Sequence, residues 1–245
     1  MNLEAAKIFS KVILPEKTVR IKLLGDSITH GFGGTGFCQD GEPIADKYRR
    51  NPNGYCWAKL FKDYMEANFD CEVVNNGCSG TVLNFIINHF EELVDPEDDI
   101  IICTIGTNNR HQPLKNGPRR TRRQQQELVY GQILTLDEKF KAAKKDVIFM
   151  ANIPASPKNE QDGQDYWRVI HMNDIHDLYV KASFACGFPL IPLYTLFLQH
   201  CERSGLAVDD LLKDGLHPND AGYEVMFRLI MDQLGIARKV PGATF

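Results

Sequence analysis

The sequence predicts a three-layer α/β/α fold around a five-stranded, mostly parallel sheet of strand order 2-1-3-4-5. Three observations carry this. Strand patterns alternate with helix-period patterns along the chain, which implies right-handed crossovers between parallel strands. Asp99–Gly106 is almost unbroken apolar sequence, as a central strand covered on both faces requires. Phe188–Leu193 contains Pro189 and Pro192, which confine it to a sheet edge.

Thr18–Gly25 reads as the first strand, because Val19, Ile21 and Leu23 alternate with Arg20 and Lys22. Gly54–Phe69 reads as a helix with Trp57, Leu60, Phe61, Tyr64 and Met65 at helical spacing, a stripe that belongs to the core. Cys71–Asn76 is a short second strand. Thr81–Leu93 is a helix that stops before Asp95-Pro96. After the third strand a long helix covers about Thr121–Ala143. Asp146–Asn152 is the fourth strand, Asp165–Cys186 a helix, Phe188–Leu193 the fifth strand and Asp220–Leu234 the closing helix. No repeat interrupts the pattern, and residues 1–245 are read as one domain.

Composition narrows the function classes. With 28 Lys+Arg against 32 Asp+Glu, the net charge of −4 disfavours a nucleic-acid binder driven by bulk charge. No apolar run reaches the ~18–20 residues that span a bilayer. The N-terminus, with Glu4 and no long apolar stretch, carries no signal-peptide pattern. The seven cysteines form no Cys-x-x-Cys pair, and an odd count fits a reducing, cytoplasmic compartment. Cys71, Cys78 and Cys103 lie in or beside apolar segments and read as small hydrophobes.

Ligands of open parallel sheets bind at the carboxyl ends of the strands. After the first strand stands Gly25-Asp26-Ser27-Ile28-Thr29-His30-Gly31, and after the second Asn76-Gly77-Cys78-Ser79-Gly80-Thr81. After the third stands Gly106-Thr107-Asn108-Asn109, and before the last helix Asp214-Gly215-Leu216-His217-Pro218. Taken singly, each has a plain structural use. Ser27 suits a helix cap, Asn108 a turn, Gly77 and Gly80 a tight bend, and Asp214–His217 a junction with Pro218 at the first helical position. Together they bring a serine, a glycine turn, an amide and an Asp-x-x-His pair to one rim.

In these four blocks, in this order and on these elements, the chain resembles the SGNH (GDSL-type) hydrolases, a family of esterases and lipases, from about residue 19 to 235. The resemblance implies the flavodoxin-like SGNH fold. It implies Ser27 as nucleophile, His217 as its base and Asp214 as the group that orients the imidazole. It implies an oxyanion hole made by the backbone N–H groups of Ser27 and Gly80 and the side chain of Asn108. One departure is visible: the family's third block commonly reads Gly-x-Asn-Asp, and here Asn109 stands in place of the final Asp.

The chemistry of these residue types agrees. A serine hydroxyl needs an adjacent base, histidine accepts a proton near neutral pH, and a carboxylate fixes the imidazole tautomer. An oxyanion needs preorganised donors, each typically worth ~3–4 kcal/mol of barrier. The expectation is a serine hydrolase acting on a small ester, without metal or cofactor, with neither nucleic acid nor membrane as partner and with room for a homo-oligomer. Three insertions, about Phe32–Asn53, Arg110–Arg120 and Ile153 to Tyr166, are expected to wall the pocket. Their polar residues (Gln39, Asp40, Asn51, Gln112, Asn159, Gln161) favour a short acyl group on a polar alcohol such as an O-acetylated carbohydrate. The rival within esterases is a lysophospholipase or thioesterase, which wants a continuous apolar groove.

Other features point elsewhere. A silent binding protein on this fold would show a damaged triad. A nucleotide binder would need a phosphate loop where Asp26 stands. Gly31–Gly36 matches Gly-x-Gly-x-x-Gly but opens no helix, and reads as a flexible loop. His171 and His176 read as surface or packing residues rather than metal ligands. The basic run Arg119-Arg120-Thr121-Arg122-Arg123 reads as a solvated helix start, against an anionic-substrate or subunit contact as the alternative.

Overall fold

The structure is a computed structural model and describes residues 1–37, 54–112, 119–161 and 168–236. Five parallel strands form one sheet in the order β2-β1-β3-β4-β5: β1 (Val19–Gly25), β2 (Cys71–Gly77), β3 (Ile100–Thr104), β4 (Asp146–Ala151) and β5 (Leu190–Pro192). The helices are α1 (Leu3–Ile13), α2 (Ser27–His30), α3 (Trp57–Asn68), α4 (Leu83–Asn88), α5 (Phe90–Leu93), α6 (Arg122–Ala142), α7 (Met172–Cys186), α8 (Leu193–Ser204) and α9 (Asp220–Leu234).

The period-2 geometry of strands sorts the core into two layers. Ile21, Leu23, Ile100, Ile102, Ile148 and Met150 face one layer, closed by α1, α3, α8 and α9. Leu24, Ile101, Cys103, Val147 and Phe149 face the other, closed by α4, α5, α6 and α7. Every residue of β3 is buried, as its unbroken apolar run predicts. Trp57 and Phe61 of the α3 stripe are fully buried, and Leu60 and Tyr64 partly so.

Four details differ from expectation. Lys22, read from sequence only as a polar position alternating with Ile21 and Leu23, is only 2% exposed, with its Nζ 2.7 Å from Asp95 Oδ2 and 3.3 Å from Asp98 Oδ2. Two added helices pack on the first layer. α1 buries Ala5, Phe9 and Val12, and α8 buries Leu193, Phe197 and Cys201. β5 is shorter than Phe188–Leu193 because α8 begins directly after Pro192. The expected Thr81–Leu93 helix begins at Leu83 and breaks at His89, whose ψ of 26° leaves the helical range.

The basic run opens α6 as a paired surface. The Thr121 hydroxyl accepts from Gln124 N at 3.2 Å, and Gln124 Oε1 accepts from Thr121 N at 2.9 Å. Arg122 donates from Nε (3.1 Å) and Nη2 (2.7 Å) to Asp174 Oδ1, and Arg123 Nε donates to Glu127 at 2.7 Å. The closing helix is capped by Asn219, which accepts from Gly222 N at 3.0 Å, so Pro218 lies before the helix rather than at its first position.

Candidate active site

The last ladder pairs of β1 match Gly25 with Gly77 on β2 and with Thr104 on β3. Just beyond that level the chain leaves the sheet at each strand, and there the three turns converge. Asp26 caps the four-residue helix α2, its Oδ1 accepting from Ile28 N at 3.0 Å, which places Ser27 at the first helical position. Ser27 is therefore held by a capped turn; the residue that does the capping is its neighbour.

Ser27 Oγ lies 2.8 Å from His217 Nε2, and His217 Nδ1 lies 2.8 Å from Asp214 Oδ2. The other carboxylate oxygen of Asp214 accepts from Leu216 N (3.0 Å) and His217 N (2.8 Å). This Asx-type turn, not a helical one, puts the two side chains on the same side. Partial burial raises the Asp214 carboxyl, but the backbone and ring N–H groups and the charge of His217, with the Leu216 N–H, outweigh it and hold Asp214 below the usual carboxylate range. The Phe32 ring packs against the His217 ring at 4.4 Å between centroids.

Gly31–Gly36 is a packed turn rather than the loose loop expected. Gly33 has φ +103°, and a Cβ there would meet Pro218 O at 2.4 Å, so the chain after α2 lies directly on the histidine loop. Tyr223 of α9 adds a hydrogen bond of 2.6 Å to Phe32 O.

Gly80 sits at φ +84°, and a Cβ there would meet nothing within 4 Å, so the turn is open at this point. The Asn108 side chain, half-buried on a 3-10 turn, donates from Nδ2 to Thr81 O at 3.0 Å and so stands beside the Gly80 turn. A primary amide carries a second N–H. Asn109, the departure from the family pattern, points away. Its Oδ1 accepts from Leu83 N at 3.0 Å at the start of α4, and its Nδ2 donates to Gln132 Oε1 on α6 at 3.0 Å.

Several residues of this rim were not singled out from sequence. His30 Nδ1 lies 3.1 Å from Ser79 Oγ and joins the turn after β1 to the turn that carries Gly80. Asn152, one residue past β4, donates to Asp26 Oδ2 at 3.1 Å and to Thr107 Oγ1 at 2.5 Å. Its position as the last residue of the strand read from sequence, a polar side chain at a carboxyl end, is the available signal. Burial raises the Asp26 carboxyl, against the Ile28 N–H and the Thr107 hydroxyl, which favour its charge.

Of the three expected walls, most of Phe32–Asn53 and parts of Arg110–Arg120 and Ile153–Tyr166 lie outside the described residues, Gln39, Asp40 and Asn51 among them. Within the third, Ser156 N donates to Gly215 O at 2.8 Å, so this segment does border the Asp214–His217 loop. Arg110, 1% exposed, ties the second wall to the third through Glu160 Oε1 at 2.8 Å. His171 pairs with Glu160 at 2.5 Å and His176 with Thr195 at 3.1 Å, which makes both packing residues. Among the described residues no cluster of three or more His, Cys, Asp or Glu could hold a metal ion, and no helix is long and apolar enough to cross a membrane.

Comparison with known proteins agrees with this fold. LAE5, an alpha/beta hydrolase enzyme from the metagenome of Lake Arreo, Spain, superposes with a TM-score of 0.65 at 21% identity, covering 91% of this chain and 98% of that one. A mutant of Axe2, an acetyl-xylooligosaccharide esterase, gives 0.68 at 18% identity, covering 90% and 96%. Axe2 itself, an acetylxylan esterase from Geobacillus stearothermophilus, gives 0.66 at 17%, covering 91% and 98%. At these identities the likeness is one of fold. No curated protein matches the chain in sequence. The GDSL-like lipase/acylhydrolase family matches residues 23–225, a span that holds every strand end described above, and the chain belongs to that family.

Proposed function

We propose that this hydrolase is a serine esterase that cleaves a short-chain acyl ester, acetyl above all, of a polar alcohol such as an O-acetylated carbohydrate. The observation that carries the reading is the unbroken line Ser27 Oγ–His217 Nε2–His217 Nδ1–Asp214 Oδ2, with 2.8 Å at each hydrogen bond. An ionised carboxylate can only accept, so Asp214 makes Nδ1 the donor and leaves Nε2 to accept from the Ser27 hydroxyl.

In this reading His217 takes the hydroxyl proton as Ser27 Oγ bonds to the ester carbonyl carbon. The Asp214 carboxylate stabilises the imidazolium. The oxyanion is met by the Ser27 and Gly80 backbone N–H groups and by Asn108 Nδ2, donors worth most where water is excluded. The tetrahedral intermediate expels the alcohol, which leaves with the proton from His217. Water then attacks the acyl-serine, giving its proton to His217, and the carboxylic acid departs as Ser27 regains its hydrogen.

The short acyl group is supported by the polar residues of the segment beside Gly215, where Asn159 and Ser156 stand, and by the acetyl esterases among the fold neighbours. A panel of p-nitrophenyl esters tests it. Acetyl and butyryl esters should outrun octanoyl and longer ones in kcat/KM, and acetylated xylooligosaccharides should release acetate. Each methylene buried in an apolar groove adds up to ~0.8 kcal/mol. A steady climb to the dodecanoyl ester would therefore reject the short acyl pocket in favour of a lysophospholipase or thioesterase.

A further inference from the structure

Two of the groups that the reaction needs stand on short, weakly self-supporting segments. Ser27 opens a four-residue helix and Asn108 lies on a four-residue 3-10 turn, both beyond the last ladder pair of their strands, Gly25 with Thr104. Sheet hydrogen bonds cannot set the distance between them. Yet misplacing a reacting group by about 1 Å costs on the order of 10²-fold in rate.

One buried set of side chains bridges the gap. Asp26 directly precedes Ser27, Thr107 directly precedes Asn108, and Asn152 follows β4. Asn152 has one –NH₂ group, and its two hydrogens are divided between Asp26 Oδ2 (3.1 Å) and Thr107 Oγ1 (2.5 Å). Asp26 then passes the constraint to the nucleophile turn through its Oδ1, which caps Ile28 N at 3.0 Å. β4 does not touch β1 in the sheet, since β3 lies between them, so Asn152 reaches past the end of β3 to make this contact. All three side chains are buried, and among the described residues Asn152 Oδ1 has no hydrogen-bond partner. An unpaired buried carbonyl is a cost to stability. An apolar residue would avoid it, but would lose the double donor.

We propose that Asp26, Asn152 and Thr107 form a buried positioning tie that sets the spacing between the Ser27 hydroxyl and the Asn108 amide. None of the three touches substrate; each acts through its neighbour in sequence. The proposal rests on the serine-esterase reading and extends it to residues outside the triad and the oxyanion hole.

The test compares Thr107→Val, which keeps the shape and removes the hydroxyl, with Thr107→Ser, which restores it. Hydrolysis of p-nitrophenyl acetate is followed at a temperature where circular dichroism shows each variant folded. The expected result is a loss of about tenfold or more in kcat for Thr107→Val with KM within about threefold, and recovery in Thr107→Ser. Asn108→Ala should also cost less in the Thr107→Val background than in the wild type, because a misplaced donor has less to lose. Should Thr107→Val not fold, Asn152→Ser carries the same expectations. A folded variant with kcat within threefold of the wild type, a loss carried by KM, or additive effects with Asn108→Ala would overturn the tie. Ser27→Ala, assayed alongside, separates the two claims. If Ser27→Ala is inactive and Thr107→Val unimpaired, only the tie fails; if the wild type hydrolyses no ester, or Ser27→Ala retains its rate, both fail.

Discussion

At the scale of single residues, Asn108 and Asn109 are adjacent amides with opposite orientations, and they should respond differently to substitution. Asn108→Ala should lower kcat by roughly 10²–10³ with little change in KM, the signature of a donor used mainly in the transition state. An equal rise in KM at constant kcat would make Asn108 a ground-state contact instead. Asn109 spends its oxygen on Leu83 N and its amide on Gln132. A carboxylate at 109 would still accept from Leu83 N, and the Gln132 amide can turn to donate. Asn109→Asp, the family's usual residue, should therefore keep activity within about tenfold. Asp214 adds a pH dependence. Its folded-state pKa lies below the ordinary 3.8, so its contribution to stability is complete above 3.8 and is lost as the pH falls through the lowered value. The difference in urea midpoint between wild type and Asp214→Asn should shrink as the pH is taken from 6 toward 3. It should be small throughout, since the carboxylate side chain is 44% exposed. A difference that grows in acid would contradict the assignment of the lowered pKa to Asp214.

At the scale of elements, α1 shows what a reading by strand–helix alternation leaves out. It precedes the first strand and belongs to no crossover, although Asn2 caps it and Ala5, Phe9 and Val12 recur at helical spacing. Asn2 also donates to Leu190 O at 2.8 Å, and the Phe9 ring lies 6.1 Å from that of Phe61, so α1 closes one layer of the core. Phe9→Ala should cost about 3–5 kcal/mol in urea unfolding. A change within about 0.5 kcal/mol would mean a surface helix. α8 is hidden in the sequence for a different reason: the two prolines of β5 read as strand-edge signals, whereas Pro192 also precedes a helix whose Leu193, Phe197 and Cys201 are buried. β3 was legible because burial on both faces leaves a continuous apolar run, and β1 because its apolar residues alternate with Arg20 and Lys22. The Lys22 pair was not legible. Alternation marks a polar residue as facing out, and only the tertiary fold brings Asp95 and Asp98 over it.

At the scale of the whole molecule, the groups proposed for chemistry all lie at the carboxyl ends of the strands or on the loop before α9. The buried Lys22 and Asp98, with the partly exposed Asp95, lie toward the other end of the sheet, among residues that serve the fold. The four motif blocks could be read from sequence because each is a short local pattern placed beside a strand end or before the last helix. The bonds that draw those ends together, His30 to Ser79 and Asn152 to Asp26 and Thr107, join residues 45 to 126 positions apart and leave no local pattern to read. The central claim is that this rim acylates Ser27. The most direct measurement is a fluorophosphonate reaction followed by peptide mass spectrometry, with Ser27→Ala as control. The expected result is one adduct on the peptide that holds Ser27, none in Ser27→Ala, and ester turnover in that variant reduced by several orders of magnitude, since triad members act as a unit. An adduct on another residue, or undiminished turnover in Ser27→Ala, would contradict it.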